Sequence, residues 1–70
     1  MGEALEITVN GKRFPYEAGM TLASLIAGLS PAQGSVVAEV NGNIIPREAF
    51  EGTLLDVGDR IEIVHFVGGG

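Results

Sequence analysis

Residues 5–16 read LEITVNGKRFPY, and the fold turns on how they are paired. Leu5, Ile7 and Val9 alternate with polar residues, the period-two pattern of a strand buried on one face. Asn10-Gly11 interrupts the run, and a second strand-like run continues through Arg13 to Tyr16. Asn-Gly between two such runs predicts a hairpin closed by a type I′ turn, because both residues tolerate positive φ. The chain therefore begins with an antiparallel pair whose face through Leu5, Ile7 and Val9 needs a cover.

Residues 19–30, GMTLASLIAGLS, supply one. Leu22, Leu25, Ile26 and Leu29 recur at i, i+3, i+4 and i+7, a single apolar stripe on a helix. Thr21 is placed to cap its N-terminus. The helix is expected to end between Gly28 and Ser30, because Pro31 does not continue it and residues 31–35, PAQGS, favour a turn. A helix this short is marginal alone, so its stripe must lie on a sheet.

Residues 35–46, SVVAEVNGNIIP, predict a strand over Val36 to Val40, with Val36, Ala38 and Val40 on one face. A second Asn-Gly turn follows, then a short run at Ile44-Ile45 that Pro46 confines to a sheet edge. Residues 47–59, REAFEGTLLDVGD, read as a loop with a turn at Gly58-Asp59, and Arg60 to Phe66 as the last strand. Two strands, a helix, a strand, a short strand and a final strand make an α+β domain with one helix on a mixed sheet. A right-handed crossover lays the last strand beside the first and parallel to it, the arrangement of a β-grasp. The expected division is one folded domain over residues 1–66 and a flexible C-terminal tail over 67–70.

Composition narrows the function. Hydrophobic residues make up 46% and charged residues 19% of 70 residues, a globular balance that suits one small domain. The net charge of −5 sets nine carboxylates against Lys12, Arg13, Arg47 and Arg60, too little basic material for a nucleic-acid surface. Acidity of this size fits either a basic protein partner or plain solubility, and the residues leave both open. The chain has no cysteine and a single histidine, which excludes thiolate chemistry, disulfides and multi-histidine metal sites. The start, MGEALE, lacks the basic and apolar regions of a signal peptide, and Glu6 stands where a myristoylation signal needs Ser or Thr. No apolar run approaches the roughly 18 residues of a membrane span, so no membrane association is expected and a cytoplasmic location is.

Catalysis has little to work with. Acids, hydroxyls and His65 are scattered, and a lone histidine near a strand end is usually a packing or surface residue. The sequence Gly58-Asp59-Arg60-Ile61-Glu62 offers at most an exposed charge pair of small energetic consequence. No glycine-rich loop precedes the helix, as a phosphate cradle would require. The glycines collect instead at the end, in Val67-Gly68-Gly69-Gly70. Without side chains, Gly68, Gly69 and Gly70 can pass through a slot that any Cβ would block. From Val67 to Gly70 the run reaches roughly 13 Å when extended, at about 3.3 Å per residue. That is enough to place the terminal carboxylate in another protein's active site, and the competing reading is an ordinary frayed terminus.

The segments VNGNIIPRE (40–48, containing Pro46-Arg47), LLDVGDRIEIV (54–64) and the ending FVGGG, together with the early ITVNGK and the helical TLASLI, resemble the ThiS-type sulfur carriers of thiamine (thiazole) biosynthesis. The resemblance covers nearly the whole chain and implies the ubiquitin-like β-grasp fold. A Gly-Gly ending is shared with molybdopterin-synthase small subunits and other ubiquitin-like modifiers; the IIPR segment and the short length favour the thiazole branch. The rival readings are a carrier for molybdopterin, cysteine or tRNA thiolation, and a ubiquitin-like binding module that never uses its terminus.

The resemblance implies a carrier with no catalytic residues of its own and no bound cofactor. An ATP-dependent adenylyltransferase akin to ubiquitin-activating enzymes adenylates Gly70, a sulfur donor system converts it to a thiocarboxylate, and the sulfur passes to thiazole synthase. Val67, Gly68 and Gly69 thread the tail into the partner active sites. Gly68 adds a third glycine to the family's terminal pair. The last strand points Ile61 and Ile63 at the helix and Glu62, Val64 and Phe66 away from it, so Val64 and Phe66 are the expected docking residues. The competing reading is that neighbouring side chains half-cover them, as is common for scattered apolar surface.

Overall fold

A computed structural model describes residues 5–29 and 35–66. Strand β1 (Glu6–Val9) and strand β2 (Lys12–Pro15) form the first hairpin. Asn10 and Gly11 take φ of 51° and 84°, the two positive values that a type I′ turn demands. Helix α1 (Leu22–Leu29) follows, then β3 (Ser35–Val40) and β4 (Asn43–Ile45), joined by Asn41 and Gly42 at φ 53° and 86°. Strand β5 spans Arg60–Phe66. The five strands lie in the order β2-β1-β5-β3-β4, with β5 parallel to β1 and antiparallel to β3. The mixed sheet with one covering helix is that of a ubiquitin-like β-grasp, and the parallel central pair is the one that the right-handed crossover predicts.

The core lies between the sheet and α1. Ile7, Val9, Ala38 and Ile61 bury the sheet's inner face beneath Leu22 and Leu25, and Ile26, Ile45 and Ile63 pack against them. Two expectations fail at the ends of elements. Leu5 lies one residue outside β1 and is 59% exposed, with only its carbonyl used, accepting from the Tyr16 N–H at 2.9 Å. Leu29 ends the helix and is 40% exposed, so the buried stripe stops a turn earlier than its spacing predicts.

The segment between β4 and β5 is not the plain loop expected. Pro46 opens a 3-10 helix over Arg47–Ala49, and the following residues fold back on the start of α1. The first N–H groups of a helix have no partner within it. Here Leu22 donates to the Thr53 carbonyl (2.9 Å) and Ala23 to that of Phe50 (3.1 Å), while Leu55 donates to Met20 (3.0 Å). These bonds draw Phe50 and Leu55 into the core, which the sequence pattern did not reveal. Thr21 caps the helix as expected: its Oγ1 accepts from the Ser24 N–H (3.1 Å), and Ser24 Oγ accepts from the Thr21 N–H (3.0 Å). This is a reciprocal capping box with serine in the place of the usual glutamate.

Candidate functional site

The site is organised by β5, because that strand leads directly into Val67-Gly68-Gly69-Gly70. Those four residues, expected to thread and to react, lie outside the described residues. What is described is how their root is held and what surface surrounds it.

Both Asn-Gly turns grip β5. Beside β1, the Thr8 N–H donates to the Asp59 carbonyl (3.0 Å) and the Asn10 N–H to that of Ile61 (2.9 Å). At the turn β1 ends and β5 continues, which would leave the next rung unpaired. The Asn10 side chain fills it: Oδ1 accepts from the Ile63 N–H at 2.8 Å and Nδ2 donates to the Ile63 carbonyl at 3.1 Å. Asn41 does related work at the start of the strand. Its N–H donates to the Arg60 carbonyl (2.7 Å), its Oδ1 accepts from the Arg60 N–H (2.9 Å), and its Nδ2 donates to Asp59 Oδ1 (3.0 Å). Strand β5 is thus held from both sides up to Ile63, and from Val64 onward it is paired through β3.

That last section presents apolar surface. Val64 and Phe66 are 51% and 52% exposed on the face turned away from α1, as their alternation with Ile61 and Ile63 predicts. Val37 lies directly opposite Val64 across the β3–β5 ladder and is itself 39% exposed. The same face continues to β4, where Ile44 is 67% exposed opposite Glu39. Val37 and Ile44 were not singled out in the sequence, although the parity that puts Val36, Ala38 and Val40 inward puts Val37 outward. Val64 and Phe66 are each about half covered, as the competing reading of ordinary scattered apolar surface also expects.

His65 points to the other face, opposite Val36, and lines a cleft of about 310 Å³ with Asn10, Lys12, Phe14, Leu29 and Ile63. Arg47 begins the 3-10 helix, with its carbonyl accepting from the Phe50 N–H (3.1 Å). Among the described residues no three His, Cys, Asp or Glu side chains converge as a metal site, and no helix is long and apolar enough to cross a membrane.

Comparison with known proteins gives this geometry a context. The ThiS family model matches residues 2–70. The crystal structure of a thiamine biosynthesis protein (ThiS) from Geobacter metallireducens superposes with a TM-score of 0.75 at 36% identity, covering 94% of this chain and all of that one. Two relatives named thiazole synthase, from Magnetococcus marinus and Paramagnetospirillum magneticum, are 39% and 32% identical over 66 residues. The chain spans 20% of the length of each of those two, while they match 94% of it.

Proposed function

The chain belongs to the ThiS family, and from that premise we propose that it carries sulfur for thiazole formation in thiamine biosynthesis on the carboxyl group of Gly70. It acts as a protein cosubstrate and performs no catalysis itself. The observation that supports this most directly is the reach of the family match: it runs through residue 70, so the glycine run is part of the family pattern.

A carboxylate is a poor electrophile. Its oxygen attacks the α-phosphorus of ATP in the activating adenylyltransferase, releasing pyrophosphate and leaving a glycyl-adenylate. Sulfide, as HS⁻ released by the donor system, then forms a C–S bond as the C–O bond to AMP breaks and AMP leaves. The resulting thiocarboxylate delivers its sulfur in thiazole synthase. ATP supplies the activation, so the cycle belongs in the cytoplasm. Val67, Gly68 and Gly69 form the lead that passes through both partner active sites, and the absence of Cβ atoms at Gly68, Gly69 and Gly70 is what lets a narrow channel admit its end.

The folded part aims that lead. Val64 and Phe66, with Val37 between the strands, form the apolar surface nearest the tail, and both partners dock there. Deletion of Gly69-Gly70 is the direct test of the class of function. A carrier loses adenylation and sulfur transfer completely, whereas a module that acts only by docking keeps its partner interaction and its biological activity.

A further inference from the structure

The β3–β5 register places Glu39 directly opposite Glu62 on the sheet face away from α1, one rung from Val37 and Val64. Like charges directly opposed across a sheet destabilise it. The ion pair of Arg13 with Glu6, at 3.7 Å, lies on the β1–β2 hairpin and uses neither Glu39 nor Glu62. The surface at this pair is concave. A depression of about 420 Å³ is lined by Glu39, Gly42, Arg60, Glu62 and Val64. Arg60 stands at one rim, so the depression holds two negative groups against one positive and keeps a net negative charge.

We propose that this acid pair receives a basic side chain, arginine above all, of the activating adenylyltransferase when that enzyme docks on Val37, Val64 and Phe66. The inference rests on reading the chain as a carrier whose tail must enter that enzyme's active site. Charge complementarity points to the occupant: a guanidinium placed against both carboxylates donates charge-assisted hydrogen bonds to each and offsets the like charge of the cross-strand pair. The placement has a mechanical consequence as well. Glu62 and Phe66 are four residues apart on one strand, roughly 13 Å at about 3.3 Å per residue. A charged contact at one end and an apolar contact at the other fix the direction of β5 on the partner, and with it the direction in which the tail leaves.

The test uses the full chain with the adenylyltransferase encoded in the same genome, followed by ATP–pyrophosphate exchange and by direct binding at low and physiological salt. Glu39→Gln and Glu62→Gln, singly and together, are compared with wild type. The double variant is expected to bind about tenfold more weakly at low salt, with a flatter salt dependence and a raised KM for the carrier. Its thermal midpoint is expected to rise by about 1–4 °C, because the repulsion is gone. Binding and stability moving in opposite directions is a result that a merely structural role cannot produce. Wild-type affinity and salt dependence in the double variant would overturn the proposal while leaving the carrier reading intact, and so would weaker binding accompanied by a lowered midpoint. If wild type itself is not adenylated by an enzyme that is active on another carrier, the carrier reading fails and this inference fails with it.

Discussion

The side-chain amide of Asn10 pairs with both backbone groups of Ile63, accepting from its N–H at 2.8 Å and donating to its carbonyl at 3.1 Å. An asparagine is thereby used twice at one position. Its backbone takes φ of 51° in the turn, and its amide imitates the peptide group that β1 no longer supplies. Glycine at this position keeps the turn and removes the amide, so Asn10→Gly isolates the second role. The expected loss is about 1–2 kcal/mol in chemical denaturation. Hydrogen exchange at the Ile63 amide should accelerate more than exchange at Ile61, whose carbonyl is held by the Asn10 backbone.

Thr21→Ala removes the oxygen that accepts from the Ser24 N–H, leaving one reciprocal bond of the capping box. The cost expected is about 1 kcal/mol. Thr21→Ser should restore most of it, which separates the cap from the packing of the methyl group.

Leu22 is fully buried at the centre of the helix–sheet contact. Truncation to alanine is expected to cost about 2–5 kcal/mol. A domain of this length has a total stability on the order of 5 kcal/mol, so Leu22→Ala should be substantially unfolded by circular dichroism at 37 °C. Leu55→Ala tests the segment between β4 and β5 in the same way: it should lower stability and also loosen the bond from the Leu55 N–H to Met20 that ties this segment to the start of α1.

Phe66→Ala and Val64→Ala act on exposed side chains and should shift the thermal midpoint little, since surface changes usually fall within about 0.5 kcal/mol. Their expected effect is on partners. Each should weaken binding to the adenylyltransferase and to thiazole synthase, Phe66→Ala by about tenfold or more because aromatic anchors carry a large share of interface energy. Unchanged binding to both partners would remove these residues from the docking surface.

The elements whose signals are local were legible in the sequence. Asn10-Gly11 and Asn41-Gly42 announce their turns through backbone tolerance alone, and the alternation in β5 assigns Ile61 and Ile63 inward and Val64 and Phe66 outward. What escaped was set by distant partners. Phe50 and Leu55 are buried because the unpaired N–H groups at the start of α1 draw their segment in, a demand invisible within residues 47–59. Leu5 and Leu29 keep the period of their elements yet lie exposed, since each falls at an element's end. The amides of Asn10 and Asn41 looked like turn chemistry only, and their hold on β5 required the sheet order to be known. The reactive end at Gly70 is proposed from chemistry and resemblance, because glycines carry no pattern of their own and residues 67–70 lie outside the described residues.

The central claim is that Gly70 cycles between carboxylate, adenylate and thiocarboxylate. Intact mass spectrometry of the protein after incubation with its adenylyltransferase, ATP and a sulfide source tests it most directly, with fragmentation to locate any change. The account predicts a mass gain equal to one oxygen replaced by sulfur, confined to Gly70. An unchanged mass, with the same enzyme proven competent on another carrier, would contradict it.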